Sequence, residues 1–360
     1  MLGRPGSIGA GQPAQVIISE QLAGSHPWRG IIHAAGLAIH HASGAIFASD
    51  PLAHCIYRLR SGQDAPESYV IEAIIGHRAG DQSSSEAAAF NNPRGLALDA
   101  RGNLWIADTG NHRVVRLDSA STRDRFDVPD AIVGQLNLHA RLAGCAADRL
   151  CAPADVAIGP DGALWIADTE NHRVLAFAPT TLDRSAARAD LVLGQQSFVT
   201  CQSGRSAATL DEPASVCVEQ DGTLWIGDSG NLRVMRHDAG LGATPGQAAD
   251  GVLGSPQLDR AGTGGWTDRT FGYIEFIAVD DEGRLWVSDP DGHRLMWWQH
   301  AALKPNGAPA DGIADRVLVR GDGCASDVPT LSWPAGLATT DGGVLVADAG
   351  NGRLVRFMAG

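Results

Sequence analysis

The sequence predicts an all-β fold, a six-bladed β-propeller of four-stranded blades, and three observations lead there. One short pattern recurs six times, as GAIFASDPLAHCIYRL, GNLWIADTGNHRVVRL, GALWIADTENHRVLAF, GTLWIGDSGNLRVMRH, GRLWVSDPDGHRLMWW and GVLVADAGNGRLVRF. Its aspartates, Asp50, Asp108, Asp168, Asp228, Asp289 and Asp348, follow one another at intervals of 58 to 61 residues. So even a period means one supersecondary unit repeated. Within each unit, short β-branched and aromatic runs are cut by Gly, Asn and Asp, which reads as strands and tight turns. The count also closes on itself, because the chain ends just after the third strand of the sixth unit while a fourth-strand pattern stands at its beginning.

Taken in order, the N-terminal run Gln15 to Ser19 (QVIIS) matches the fourth-strand runs LVLGQ and IVGQ. It is expected, within residues 13–20, to complete the last blade and lock the ring. The second unit shows the internal order: LALD (96–99), a turn (100–102), LWIAD (104–108) and RVVRL (113–117). Fourth runs follow as AIVG (131–134), LVLG (191–194) and VLG (252–254). Four short antiparallel strands repeated radially make propeller blades. The whole chain, residues 1–360, is then one propeller domain.

The box Asp-X-X-Asn-His-Arg, intact as Asp108 to Arg113 and Asp168 to Arg173 and preceded by Pro93 and Pro153, resembles the NHL repeat, and the likeness runs from about residue 13 to the end. It implies a propeller. It does not choose a function, because lyases, RNA-binding and protein-binding scaffolds and ligand binders share the repeat. Leu232 and Gly352 replace the histidine in two units, and Cys55 the arginine in one. His54, His112, His172 and His293 recur once per blade and stand radially apart, so they are expected in turn and blade packing. The Asp and Arg of each box are expected to tie strand ends together.

Within that family, the resemblance to peptidyl-α-hydroxyglycine amidating lyase would imply zinc held by histidines that follow the proline position. This chain has at those positions Ala35, Arg94, Ala154, Ala214, Glu275 and Ala335. Three converging imidazoles are the minimum for such a site, and none is present there. A disulfide between Cys145 and Cys151, which flank AADRL in one interblade loop, would likewise match exported proteins of the family. Free thiols there fit a reducing compartment. The spacing of Cys145, Cys151, Cys201 and Cys324 matches no zinc signature, and Cys217 stands where other units carry a small alanine.

The net charge of −13, and an inventory of 28 basic residues in which only Lys304 is lysine, leave no basic run or arginine stripe. Phosphate binding has no electrostatic footprint here, which excludes nucleic acid as the expected partner. No stretch approaches the ~20 apolar residues of a membrane span, and the first residues lack the apolar core of a secretory signal. A cytoplasmic location is favoured over that of an exported mature protein, and a monomer is expected.

Chemistry in a propeller gathers at the channel mouth, where loops enter the innermost strands. Units two and five face each other in a six-fold ring, so Arg94 and Glu275 should meet across the channel. One residue before the proline position stand His33, Asn92, Ala152, Glu212, Tyr273 and Trp333. The catalytic candidates are therefore Glu275, Arg94, Tyr273, His33 and Glu212, which would supply an acid, a base and an anion clamp. Arg94, Glu275, Trp333 and Trp266, the last in the Gly-rich loop GTGGWTDRT, are the ligand-binding candidates. A divalent metal ion held through Glu212 and Glu275 is the cofactor that set would take, and an Arg94–Glu275 ion pair plugging the channel is the structural alternative.

Trp105, Trp165, Trp225 and Trp286 recur at one blade position and read as packing. Asp280, Asp281 and Glu282 read as a solvent-facing turn. No nucleophile elbow, phosphate loop or dinucleotide fingerprint stands in a strand-to-helix context. Two function classes follow. One is a propeller binding a small molecule, peptide or partner protein at the channel mouth and long-loop face; the other is a lyase or hydrolase using channel-mouth residues, with or without a metal.

Overall fold

The computed structural model describes residues 15–18, 33–61, 69–76, 89–123, 128–182, 187–314 and 331–358. Cys324 and the chain up to residue 14 lie outside them. Twenty-four strands form six four-stranded antiparallel sheets. Blade 2 serves as the pattern: β6 (Pro93–Leu98), β7 (Leu104–Asp108), β8 (Arg113–Leu117) and β9 (Ala131–Val133) pair in sequence order from the inside outward. The innermost strands of the other blades are β2 (Leu37–His40), β10 (Pro153–Ile158), β14 (Pro213–Val218), β18 (Ile277–Val279) and β22 (Pro334–Thr340). Each innermost strand lies against the next, and β22 lies against β2, so the sheets form a ring. In the sixth blade, β1 (Gln15–Ile18) pairs antiparallel with β24 (Arg353–Met358), placing Gln15 opposite Arg356.

Strand periodicity explains where the core sits. Successive side chains of a strand point to opposite faces, and each blade has a neighbour on both faces. In β7, Trp105 and Ala107 pack toward blade 3, while Leu104 and Ile106 pack toward blade 1. The buried apolar residues accordingly form clusters that each span two adjacent blades. The four repeated tryptophans are buried there. Asp280 is buried as well, contrary to the solvent-facing reading, because it accepts hydrogen bonds from Trp286 Nε1 at 3.0 Å and Arg284 N at 2.9 Å.

The Asp-X-X-Asn-His-Arg box is a buried clasp. Asp108 accepts from Arg113 Nε (2.6 Å), Asn111 Nδ2 (2.8 Å) and Asn91 N (2.8 Å). Asp168 and Asp228 repeat the arrangement with Arg173 and Arg233. Burial pushes these carboxyls up, and the guanidinium in contact draws them back down. Paired and fully hydrogen-bonded, such a buried charge is tolerated; unpaired, it is not.

The histidine of the box takes a left-handed backbone and reaches into the following blade. His54, His112, His172 and His293 all have positive φ. Their Nδ1 atoms accept from the backbone N–H of Asn92 (3.0 Å), Ala152 (3.0 Å), Glu212 (3.1 Å) and Trp333 (3.1 Å). Those four donor residues also have positive φ. Where Leu232 and Gly352 replace the histidine, the corresponding residues Tyr273 and His33 do not.

Candidate functional site

The antiparallel order of each blade fixes two unequal ends of the channel. The interblade loops, such as residues 135–152 and 195–212, enter the innermost strands at one end. Turns such as residues 99–102 leave them at the other. The long loops are internally ordered. Gln135 Nε2 donates to the carbonyls of His112 (2.8 Å) and Leu142 (3.0 Å), and Gln195 Nε2 does the same to His172 (3.0 Å) and Gln202 (2.8 Å).

At the start of the innermost strands, Arg94 Nη2 donates to Glu275 Oε1, joining blades 2 and 5 across the ring. Their side chains are 24% and 11% exposed. Ser49 Oγ donates to the Arg94 carbonyl at 2.6 Å, which fixes the backbone beneath the guanidinium. Among the described residues, the remaining sequence candidates share no hydrogen bond or ion pair with Arg94 or Glu275. Glu212 and His33 are exposed, and Tyr273 is held by its backbone N–H to Asp289 at 3.0 Å. Trp333 is 46% and Trp266 72% exposed. The Trp266 indole lies over Gly272, where a Cβ would come 2.9 Å from its Nε1. Among the described residues, no three His, Cys, Asp or Glu side chains gather as a metal-ligand set.

One group in the channel was not among the sequence candidates. Asp155 follows Pro153 by two positions, and Gly36, Gly95 and Gly336 occupy the same register in blades 1, 2 and 6. Space there is tight: a Cβ on Gly95 would fall 2.1 Å from Asp155 Oδ1. The carboxylate accepts from Ser215 Oγ (2.6 Å), Val216 N (3.0 Å) and Val156 N (2.8 Å). Burial outweighs these bonds and the attraction of Arg94, raising the carboxyl to about 7. The sequence carries the signal as one acidic residue at a step otherwise held by glycine, Ser215 and Phe276, two positions past the proline and so outside the two flanking steps that single out Arg94 and Glu275.

The channel opens away from the ion pair. A cavity of about 290 Å³ runs from Asp155 past Ala97, Ala157 and Ala338 to Ile158 and Thr339. A second of about 280 Å³ forms its mouth between His41, Glu219, Asp280, Asp281 and Asp341. Both lie toward the short-turn end, whereas the sequence placed the pocket under the long loops.

Three cysteines, Cys145, Cys151 and Cys201, sit among those loops. Cys145, Cys151, Cys201 and Cys217 are thiols, with Cys201 the exposed one and Cys217 on β14. Cys145 and Cys151, the pair suggested by sequence, are not bridged. Burial, then a hydrogen-bonding contact with Cys201, pushes the Cys145 thiol up to about 11, and Arg173 Nη1 stands 3.7 Å from its sulfur.

Residues 90–117, 150–177 and 331–357, which lie in blades 2, 3 and 6, match the NHL repeat family. This is an NHL-repeat propeller. The NHL chain is 27% identical over 157 residues to a probable peptidyl-alpha-hydroxyglycine alpha-amidating lyase of Caenorhabditis elegans, covering 43% of this chain and 39% of that protein. It is 32% identical over 127 residues to peptidylglycine alpha-amidating monooxygenase of Rattus norvegicus, covering 35% of this chain and 12% of that protein. The chain thus spans well under half the length of these relatives. A putative gluconolactonase structure superposes with a TM-score of 0.56 at 16% identity, covering 96% of this chain and 92% of that one. At that identity the likeness is one of fold. No helix of the described residues is long and apolar enough to cross a membrane.

Proposed function

We propose that this NHL propeller is a recognition module that binds a peptide or protein segment across its long-loop face. The observation that carries this reading is the placement of exposed large apolar side chains. Leu52, Leu136, Leu142, Val199, Trp266 and Trp333, each at least 46% exposed, all belong to connections at the long-loop end. Val128 and Leu303 lie at the short-turn end, and Val70, Ile71 and Ile74 on the outermost strand of blade 1 (Tyr69–Gly76). Exposed aromatic and aliphatic side chains gathered on one face are what a partner's apolar residues bury against. The Arg94–Glu275 pair supports the same reading, since each charge satisfies the other beneath that face. Selection from a displayed peptide library against the immobilised protein tests it. Peptides rich in apolar residues should emerge, and Trp266→Ala with Trp333→Ala should weaken them at least tenfold; selected peptides indifferent to both changes would sink the proposal.

A second reading, a lyase or hydrolase, is favoured by Asp155. A buried carboxyl near 7, lining a cavity and close to a guanidinium, has the properties of a general acid or base. The amidating-lyase names of its relatives and the gluconolactonase name of its fold neighbour supply the substrates to try. Turnover of an α-hydroxyglycine-extended peptide or a sugar lactone, lost in Asp155→Asn while the fold persists, would move the assignment to the enzyme.

A further inference from the structure

We propose that Cys145 and Cys201 are a redox-active pair that forms a disulfide joining two neighbouring interblade loops. The two thiols lie 56 residues apart in sequence, yet Cys201 stands near enough to bear on the Cys145 thiol. Arg173 explains why. Its buried guanidinium donates to the carbonyls of Ala146 (2.9 Å) and Arg149 (3.0 Å) in one loop and to Phe198 (2.6 Å) in the other. One side chain therefore draws together the two segments that carry the thiols, with Cys145 Sγ at 3.7 Å from Nη1.

The repeat shows that this juxtaposition is peculiar to one interface. At the next interface Arg233 plays the same part, donating to Ser206 (3.0 Å), Thr209 (3.0 Å) and Leu258 (2.6 Å). The positions sixty residues on from the two cysteines are Arg205 and Ala261. Cys151 is anchored differently, with its backbone N–H bound to Asp168 at 2.7 Å and its thiol, raised by burial, beside the negative Asp168 and Glu170.

The oxidant is a low-molecular-weight disulfide. The exposed Cys201 thiolate attacks one sulfur of that reagent and expels the other half as a thiolate. Cys145 then gives up its proton to the thiolate just expelled and attacks the Cys201 sulfur of the mixed disulfide, forming the Cys145–Cys201 bond and releasing the second half as a thiolate. Two protein thiols are oxidised, one reagent disulfide is reduced to two thiols, and both protons pass to the released thiolates.

The full chain would be incubated with glutathione disulfide, alkylated, and digested with trypsin without reductant. Cleavage after Arg141, Arg149, Arg173, Arg188 and Arg205 places the three loop thiols on separate peptides, 142–149, 150–173 and 189–205. The expected product joins 142–149 to 189–205, two hydrogens lighter than the sum, and disappears on reduction. Cys151→Ser should leave that product unchanged, whereas Cys201→Ser should leave Cys145 alkylated. A link from 142–149 to any other peptide, or three alkylated thiols after oxidant treatment, overturns the proposal.

Discussion

At the residue scale, the charges that sequence reasoning set aside as structural and the one it promoted to the site behave differently. Arg173 is fully buried and satisfies Asp168 together with carbonyls of two loops. Arg173→Met should cost about 3–5 kcal/mol in urea unfolding, because it strands a buried carboxylate. Arg94 is partly exposed, so Arg94→Met should cost less, about 1–2 kcal/mol. Adding Glu275→Gln should restore most of that loss, and a double-mutant cycle measures the coupling. Asp155 makes a prediction of opposite character. Its folded value of about 7 exceeds the ordinary 3.8, so burial favours the protonated form. That contribution is complete below 3.8 and is lost as pH rises to 7. The stability difference between Asp155→Asn and wild type should therefore shift toward the variant by about 4 kcal/mol between pH 4 and pH 8. A difference that stays flat with pH would mean that the carboxyl titrates in its usual range. Arg94 and Glu275 are legible because a six-fold count places them face to face; Asp155 is marked in the sequence only when the step two past the proline is compared across blades, and its burial is not, because glycines from other blades make its environment.

At the element scale, the strands were legible almost residue by residue, since turn glycines and alternating apolar side chains mark their ends. The fourth-strand runs read at 131–134, 191–194 and 252–254 coincide with β9, β13 (Leu191–Leu193) and β17 (Gly251–Leu253) within a residue. Loop contacts were less legible, because a pattern along the chain says nothing about which two loops meet. Cys145 and Cys151 invite pairing by nearness in sequence, while the thiol that raises Cys145 most comes from the following loop. For β1, the pairing with β24 carries a proposal of its own. We expect a chain lacking residues 1–20 to present the edge of β24 to solvent, melt several degrees lower and aggregate. Equal melting temperature and an unchanged monomer peak in size-exclusion chromatography would show that the strand contributes nothing to closure.

At the scale of the whole molecule, the acidic surface governs long-range encounters. With a formal charge of −13, the chain should show no salt-sensitive retention of a single-stranded RNA homopolymer at low ionic strength, a result read directly by fluorescence anisotropy. Measurable binding that weakens steeply with salt would reveal a basic face that the average conceals.

The ring is also not mechanically six-fold. Imidazole clasps run from blade 1 to 2, 2 to 3, 3 to 4 and 5 to 6, through His54, His112, His172 and His293. Leu232 and Gly352 leave the seams between blades 4 and 5 and between blades 6 and 1 without one. The propeller is thus a tetrad of blades joined to a couple, and Arg94 and Glu275 reach from one arc to the other. We expect the circle to part first at these two seams under tension or thermal breathing. Amides flanking Leu232 and Gly352 should exchange with deuterium before those flanking His112 and His172, so the molecule would open as a hinged pair of arcs, like a split washer, before any single blade comes apart.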